Sequence, residues 1–561
     1  MSIFILDVIK YPGRDNRQPY TLTYSTSTKF GNDKINYENI DYILVLDGIV
    51  LNKKLLFNEG SGEAWSNYVI SLYDKYGSCF FSKLKGSYYG CLFDKKKQKW
   101  IVFSDHIGSK PIYYFENQIF FCFSNNYMEL LKYIKEKSVS IGLNEKAAYL
   151  VLTYGFVFED LTICKEVKRL MIGHFATIKD NSLSLTAFYK LGLNPIEISE
   201  EEAVDQIDIR FRAAVSLAFE KDKEYGYKHL AALSGGLDSR MTVWVAHDLG
   251  YTNQLNITFS QSNYLDETVA KQISSDLEHE WLFKSLDNGM YLKNLDETTE
   301  VTGGNALYSG LAHALSLYKY INFTDFGLLH SGQLGDVVLG SFSNIKAHKH
   351  YKFGDGGYSQ KLVPVLKNFT FKDFYPDKEN FKLYIRGFNG ANQGLLAALE
   401  YTETWSPFYD IDFMEFALSI PIKLRSKHHI YKKWINTKYP KAAKYIWEKE
   451  KVPVNYSLMV SFGGKHVPLS QLYTKLLSKI GINTYGSNTK KDMNPLGYWI
   501  HNNEQLNSFL ENYFRDHIVL LNNFPKLKGD CERLYFDGTG TEKAQVLTLL
   551  SALNVFKKSG S

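Results

Sequence analysis

The sequence predicts an α/β protein built in two unlike parts, stacked antiparallel sheets followed by a parallel sheet with helical crossovers. Three observations carry that reading. Residues 3–123 are short β-rich runs broken by turns, residues beyond 199 alternate short apolar strands with helical segments, and 191–199 is the break between the two patterns.

In the first part, the runs 42–48, 86–93, 100–103, 112–115 and 119–123 are dense in Val, Ile, Leu, Phe and Tyr, which suit a pleated, buried surface. Helical periodicity appears at 144–154, and a last β-rich stretch ends near Phe188. Pro195-Ile-Glu-Ile-Ser-Glu-Glu-Glu202 carries helix-start signals and opens a helix expected to run to about Lys223. Residues 1–190 are therefore expected to form one domain and 191–561 another, the second with a helical C-terminal region. Its strands are expected at 229–233, 256–259 and 327–330, alternating with helical segments as a parallel sheet requires. The lysine run in Asp94-Lys-Lys-Lys-Gln-Lys99 reads as a solvated turn, and no internal repeat is present.

Composition excludes several classes of function. The 561 residues carry 65 Lys+Arg against 60 Asp+Glu, a net charge of +5, too little over this length to make a phosphate-seeking surface. Lysine outnumbers arginine 55 to 10, whereas bidentate phosphate and base readout favours arginine, so no nucleic-acid partner is expected. Cys79, Cys91, Cys122, Cys164 and Cys531 form no C-x-x-C pair and no disulfide-dense spacing, which fits a reduced, cytoplasmic chain. No stretch approaches the ~18 apolar residues of a membrane span, and the N-terminus lacks a basic leader and carries Asp7 inside its apolar run, so no membrane partner is expected. The 40 Tyr and 37 Phe are expected to fill cores and strand faces, the alternative being aromatic sugar or base platforms.

The strongest local signal is Leu233-Ser-Gly-Gly-Leu-Asp-Ser-Arg240, which follows an apolar strand and leads into a helix at 241–247. Gly235 and Gly236 allow a tight turn with inward N–H groups, Ser234 and Ser239 add hydroxyl donors, and the helix N-terminus adds positive potential. Together these suit a pyrophosphate. Asp238 is an anion and cannot bind phosphate directly, but it can hold Mg²⁺. The string lacks both the Gly-Lys-Ser/Thr ending of a Walker loop and the G-x-G-x-x-G spacing of dinucleotide folds.

With these residues the sequence resembles the pyrophosphate-loop ATPases, which share an adenine-nucleotide α-hydrolase-like fold and cleave ATP between the α and β phosphates to adenylate a substrate. A second string narrows the resemblance. Ser331-Gly-Gln-Leu-Gly-Asp-Val-Val-Leu-Gly340 follows the strand at 327–330 and is similar to the Ser-Gly-Glu-Gly-x-Asp-Glu-x-x-Gly turn of the asparagine synthetase family. That resemblance implies that Leu233 to Ser239 and Ser331-Gly332 hold ATP and that Asp336 is a second Mg²⁺ carboxylate beside Asp238. Glu403-Thr-Trp-Ser-Pro-Phe-Tyr-Asp410 resembles the family's Glu-x-Arg-x-Pro-Phe-Leu-Asp, which puts Glu403 and Asp410 at its acidic positions and makes Glu403 a catalytic candidate for proton transfer. The segment from Tyr445 to Pro453 resembles the one that carries the family's active-site lysine. Lys449 aligns most simply, with Lys451 as the alternative, and a lysine there stabilises charge that develops as the acyl-adenylate forms.

The first part resembles the family's N-terminal-nucleophile glutaminase domain, an antiparallel αββα sandwich, through Asp47-Gly-Ile-Val-Leu-Asn52 and Ser104-Asp-His-Ile-Gly-Ser-Lys-Pro-Ile-Tyr-Tyr114, so the resemblance covers nearly the whole chain. Three departures point to an inactive glutaminase. The chain begins Met1-Ser2-Ile3, so removal of Met1 exposes a serine hydroxyl where the family has a Cys thiol. Asp47 stands where the family has an oxyanion-holding Asn, and a carboxylate there repels the oxyanion. The family's Arg-Gly-Pro-Asp stretch is missing before it. In the second part Gln333, Val337 and Trp405 replace a Glu, an acidic residue and an Arg of the family pattern, changes that touch acceptor recognition and leave the ATP residues intact.

The function this implies is an ATP-dependent amide-forming ligase that adenylates a carboxylate and transfers ammonia or an amine to it. The segment 386–393, with the string from Tyr401 to Asp410, looks most like relatives that work in surface-polysaccharide pathways, and natural-product synthetases also diverge at the acceptor positions. Its partners are a small-molecule carboxylate and an ammonia or amine donor, with a homodimer left open. Two alternatives stay open: a non-catalytic relative that binds ATP and serves as an assembly module, and a glutamine-dependent asparagine synthetase proper. A tRNA-thiolating enzyme calls for a catalytic Cys near the loop, and the second part has only Cys531.

Overall fold

Strands β1 (Ile3–Ile9), β2 (Tyr20–Ser25), β7 (Tyr113–Glu116), β8 (Phe120–Ser124) and β9 (Val167–Arg169) make one antiparallel sheet in the order β2-β1-β8-β7-β9. A second contains β3 (Ile35–Glu38), β4 (Tyr42–Val50), β5 (Gly86–Asp94), β6 (Lys99–Ser104), β10 (His174–Lys179) and β11 (Ser182–Ala187), in the order β11-β10-β6-β5-β4-β3. The computed structural model that shows this describes residues 2–10, 19–58, 62–343, 350–372, 375–462, 465–472 and 487–558. Met1, whose removal was expected to expose Ser2, lies outside the described residues.

The two sheets pack face to face through alternate residues of their strands: Phe4 and Leu6 of β1, Ile43 and Val45 of β4, Cys91 and Phe93 of β5, Phe121 and Phe123 of β8. The outer faces are buried as well. Leu44, Leu46, Tyr88 and Leu92 share a core with the helix Trp65–Tyr76. Tyr113, Phe115, Phe120 and Cys122 meet the helices Tyr127–Glu136 and Glu145–Tyr154. The result is four layers, αββα. It explains why β4, β5 and β8 are dense in apolar residues rather than alternating, since a strand covered on both faces has no solvent side.

The second part opens on the helix Glu200–Glu224. Ser199 caps it, its hydroxyl accepting the Glu202 N–H, and Glu200, Glu201 and Glu202 in the first turn complement the helix dipole. Strands β12 (Lys228–Ala232), β13 (Gln254–Ser260), β14 (Glu280–Ser285), β15 (Phe326–His330) and β16 (Thr404–Trp405) form a parallel sheet in the order β14-β13-β12-β15-β16. The chain steps outward from β12 to β13 and β14, then crosses to β15 on the other side of β12. The strand order thus reverses between β12 and β15, where an open α/β sheet leaves a crevice at its carboxyl ends.

Asp222, fully buried near the end of the Glu200–Glu224 helix, fastens the two central strands from below. One oxygen accepts the Leu328 N–H at 2.7 Å, and the other lies 2.8 Å from His229 Nδ1 and 2.6 Å from His330 Nε2. Burial alone would raise this carboxyl, but His330 and His229 outweigh it and hold it below its ordinary range. Gly327 is required beside it, because a Cβ there would sit 2.0 Å from Asp222 Oδ1.

The two parts share cores. Phe30, Ile49 and Ile107 of the first pack in one cluster with Phe211, Val215 and Phe408 of the second, and the helix Gly540–Lys558 closes against Glu145–Tyr154. All five cysteines are free thiols, and no helix of the described residues is long and apolar enough to cross a membrane.

Candidate active site

The loop after β12 turns into the helix Leu237–Asp248 and is held by its own side chains. Ser239 Oγ accepts the Ser234 N–H at 3.0 Å and lies 2.9 Å from Ser234 Oγ, which in turn accepts the Gly236 N–H at 3.2 Å. Gly235 behaves differently from the expectation of an inward N–H: it donates to Asp266 Oδ1 at 2.7 Å, and the residue does not line the cleft. Asp266 comes from the first turn of the helix Leu265–Asp276, directly after β13. Its carboxyl is pushed up to about 7 by burial and by the nearby charge of Glu448. Arg240, fully buried, donates to the carbonyls of Gly235, Ala442, Tyr445 and Ile446 and so ties the 442–446 stretch to the loop.

The turn after β15 packs directly on this loop. A Cβ on Gly332 would lie 2.2 Å from Ser239 N, and one on Gly335 would lie 2.7 Å from Asp238 Cγ, so two glycines are needed for the approach. The approach brings the two aspartates together: the Asp336 N–H donates to Asp238 Oδ2 at 2.8 Å, and the Tyr431 hydroxyl donates to Asp238 Oδ1 at 2.9 Å. Burial and the charge of Asp336 push the Asp238 carboxyl well above its usual range. Asp336 moves the other way. Burial would raise it, but His428 and Lys449 outweigh that and hold it low. Two adjacent carboxylates offering hard oxygen donors fit Mg²⁺, and a divalent cation between them offsets their repulsion.

Lys449 Nζ sits 3.7 Å from Asp336 Oδ2 and 3.5 Å from His428 Nε2, at the edge of this cleft. Lys451 turns elsewhere, donating to the Tyr264 hydroxyl at 2.8 Å and pairing with Glu448 at 3.3 Å. The cleft has a volume of about 510 Å³, and Leu233, Ser234, Gly236, Asp238, Ser239, Ser331, Gly332, Asp336 and Lys449 all line it. Asp266, Glu448 and Tyr431 were not anticipated from the sequence. The first had a readable signal, an acidic residue in a helix start at the carboxyl end of a strand; the other two arrive from distant segments.

Glu403 is not brought to the cleft. It lies just before β16, and its carboxylate meets Lys110 Nζ of the first part at 2.7 and 2.8 Å. Both residues line a separate cavity of about 60 Å³ that also contains Ser2. Ser2 Oγ lies 3.1 Å from Thr26 Oγ1, and Thr26 and Tyr24 donate their hydroxyls to Asp47 Oδ2 at 2.5 and 2.7 Å. Asp47 is buried, which alone would raise its carboxyl, but Lys110 and Lys34 with these hydroxyls outweigh the burial and keep it below the usual range. The position beside Ser2 is therefore a charged carboxylate. Asp410 caps the helix Ile411–Ser419 and faces Lys85 at 3.7 Å, away from the cleft.

A family model for a glutamine amidotransferase domain matches residues 23–189. The chain is 22% identical over 276 residues, 47% of its length and 42% of the other's, to asparagine synthetase (glutamine-hydrolyzing) 1 of Bacillus subtilis. It is 28% identical over 274 residues, 46% of its length and 52% of the other's, to a putative asparagine synthetase (glutamine-hydrolyzing) 2 of Methanocaldococcus jannaschii. The chain is thus similar, at modest identity, to asparagine synthetases over about half of its length, and to a glutamine amidotransferase domain over residues 23–189. It spans about half the length of these curated relatives. Among solved structures it is similar to the NH3-dependent NAD synthetase from Campylobacter jejuni, at 15% identity and a TM-score of 0.19, over 42% of this chain and 97% of that one, a likeness too slight to bear on activity. The positions that differ from the asparagine synthetase pattern fall in different settings. Gln333 lines the cleft and donates through Nε2 to Ala391 O at 2.7 Å, whereas Trp405 is buried against Tyr409.

Proposed function

We propose that the protein is an ATP-dependent ligase that forms an amide from a small-molecule carboxylate and free ammonia or an amine, with residues 191–561 carrying the reaction and 1–190 serving as an inactive glutaminase-like domain. The observation that carries this reading is the single cleft at the carboxyl ends of β12 and β15, where the Ser234–Ser239 loop, the Asp238–Asp336 pair and Lys449 converge. Bound Mg²⁺-ATP supplies the activation: the acceptor carboxylate displaces pyrophosphate from the α-phosphorus, and the amine then displaces AMP from the acyl carbon and gives up a proton. The chain's own part is positional and electrostatic. The hydroxyls of Ser234 and Ser239 would face phosphate oxygens, Asp238 and Asp336 would hold the cation, and Lys449 would face the charge that grows as the carboxylate attacks. Glu403, occupied by Lys110, takes no part in this chemistry.

ATP-pyrophosphate exchange over a panel of carboxylic acids tests the reading. At least one acid is expected to support exchange in the wild type, and Asp238→Asn is expected to abolish it with the fold intact, because one of the two cation carboxylates is gone. Undiminished exchange in Asp238→Asn removes the metal assignment. Absence of nucleotide binding in the wild type removes the reading altogether.

A further inference from the structure

A second cavity of about 610 Å³ opens from the cleft, within the size range of sites that take a drug-sized molecule, about 300–1,000 Å³. Gln333, Asp336 and Lys449 line both spaces and mark the junction. Lys382 and Arg386 line only the second, on the π-helical segment Leu383–Gly390 and the residue before it. Val337 and Ser341, the ends of a second wide-turned segment, also line the space, and wide turns of this kind recur at functional sites.

Charge and hydrogen bonding in this space are unbalanced. Lys382 and Arg386 make no ion pair with any described residue, and each lies over an aromatic ring, Phe342 at 5.5 Å and Tyr358 at 5.5 Å respectively. Among the described residues the only acidic side chain on the lining is Asp336, which already faces Lys449 at 3.7 Å. Gln393 also lines the space, is 2% exposed, and its Oε1 has no hydrogen-bond partner among the described residues. A buried amide oxygen left in that state costs free energy unless a ligand donor reaches it.

We propose that this cavity is the acceptor subsite and that the acceptor is a hydroxylated carboxylic acid with a second anionic group, held by Arg386 and Lys382, at the end remote from the carboxylate to be activated. The inference rests on the proposed ligase reading and deepens it. The activated carboxylate lies at the junction beside Lys449 and Asp336, a hydroxyl donates to Gln393 Oε1, the apolar faces of the acceptor lie along Tyr358 and Phe342, and the two cations neutralise the far anion.

Equilibrium binding to the full chain, with the cleft saturated by Mg²⁺ and a non-hydrolysable ATP analogue, separates the possibilities. The probes are glucuronic acid 1-phosphate and glucuronic acid, which differ only in the second anion. The wild type is expected to bind the phosphorylated probe at least tenfold more tightly than the plain acid. Arg386→Gln with Lys382→Gln is expected to erase that difference and leave affinity for the ATP analogue unchanged; both positions are exposed or half-buried, and analogue binding reports an intact fold. Equal binding of the two probes by the wild type, or a preference that survives the double substitution, overturns the subsite. Loss of analogue binding in the wild type overturns the ligase reading instead.

Discussion

Lys449 and Lys451 are the same residue type two positions apart, and nothing in their immediate sequence separates them. Geometry does: Lys449 reaches Asp336, while Lys451 is taken up by Tyr264 and Glu448. If Lys449 faces charge that develops during the chemical step, as in the proposed reaction, Lys449→Ala is expected to lower kcat for amide formation about 10²–10³-fold with KM for ATP changed only a few-fold. Lys451→Ala is expected to leave kcat within a few-fold. The reverse ranking in steady-state kinetics would exchange their roles. Glu403 teaches the converse. Its motif was legible, but its partner Lys110 lies 293 residues away, and no local pattern announces a contact across that separation. Titration at the residue scale makes a further prediction. His279, hydrogen-bonded to Asn256 and His247, is held down to about 4 by burial and by the neighbouring His247. Its folded value is below the ordinary 6.5, so the unfolded chain takes up a proton the native state refuses, and stability falls as pH drops from about 6.5 toward 4. His279→Asn is expected to flatten the pH dependence of urea unfolding in that window by at most about 1.4 kcal/mol per pH unit. Identical slopes in both proteins would show that His279 is not the group titrating.

At the scale of elements, the strands of both parts were readable because a strand buried on one or both faces leaves a dense apolar run bounded by turn residues, as at β4, β5, β12 and β15. The loop after β12 was readable for the same reason plus its glycines. What the sequence did not disclose is how closely the second turn leans on the first, since that depends on β12 and β15 being neighbours in a sheet whose order is set by crossovers. The two π-helical segments beside the second cavity have no pattern of their own either, because their wide turns arise from packing. The leaning of the turns can be tested at Gly332. A Cβ there would meet Ser239 N at 2.2 Å and the Asp238 carbonyl carbon at 2.4 Å, and backbone atoms cannot rotate aside as a flexible side chain can. Gly332→Ala is therefore expected to displace the Asp336 turn and lower the ATP-pyrophosphate exchange rate about 100-fold, the usual penalty for a shift of an ångström at a reacting centre. Gly394→Ala is the control on the same cleft, since its nearest neighbour would stand at 3.7 Å, and it is expected to leave exchange within a few-fold. Equal losses in the two variants would show that crowding of the cleft, not the contact between turns, governs the rate.

Across the whole molecule, the first part is built into the second rather than tethered to it. Lys29 donates to the carbonyls of Phe323 and Phe326 at 2.6 Å each, Asp33 pairs with Lys221 at 3.1 Å, and Lys110 enters the small cavity beside Ser2 to meet Glu403. The likeness of the first part to a glutamine amidotransferase domain was legible in 47–52 and 104–114. That its centre is filled by a cross-domain ion pair was not, because the lysine and the glutamate come from different folding units. The arrangement bears directly on nitrogen supply. A serine hydroxyl beside an ionised Asp47 has neither an accessible thiolate nor a neutral donor for the oxyanion of an attacked amide. Glutamine is therefore expected to be a poor nitrogen donor. In the proposed reaction ammonia or an amine then reaches the acyl carbon from solvent, and only the unprotonated form carries the lone pair that attacks. Product formation at fixed total ammonium is expected to rise with pH as that form increases, and Ser2→Ala is expected to leave the ammonium-dependent rate within a few-fold. Glutamate release from glutamine measured alongside amide formation decides the matter: release that disappears in Ser2→Ala would restore a working serine amidohydrolase and return the first part to catalysis.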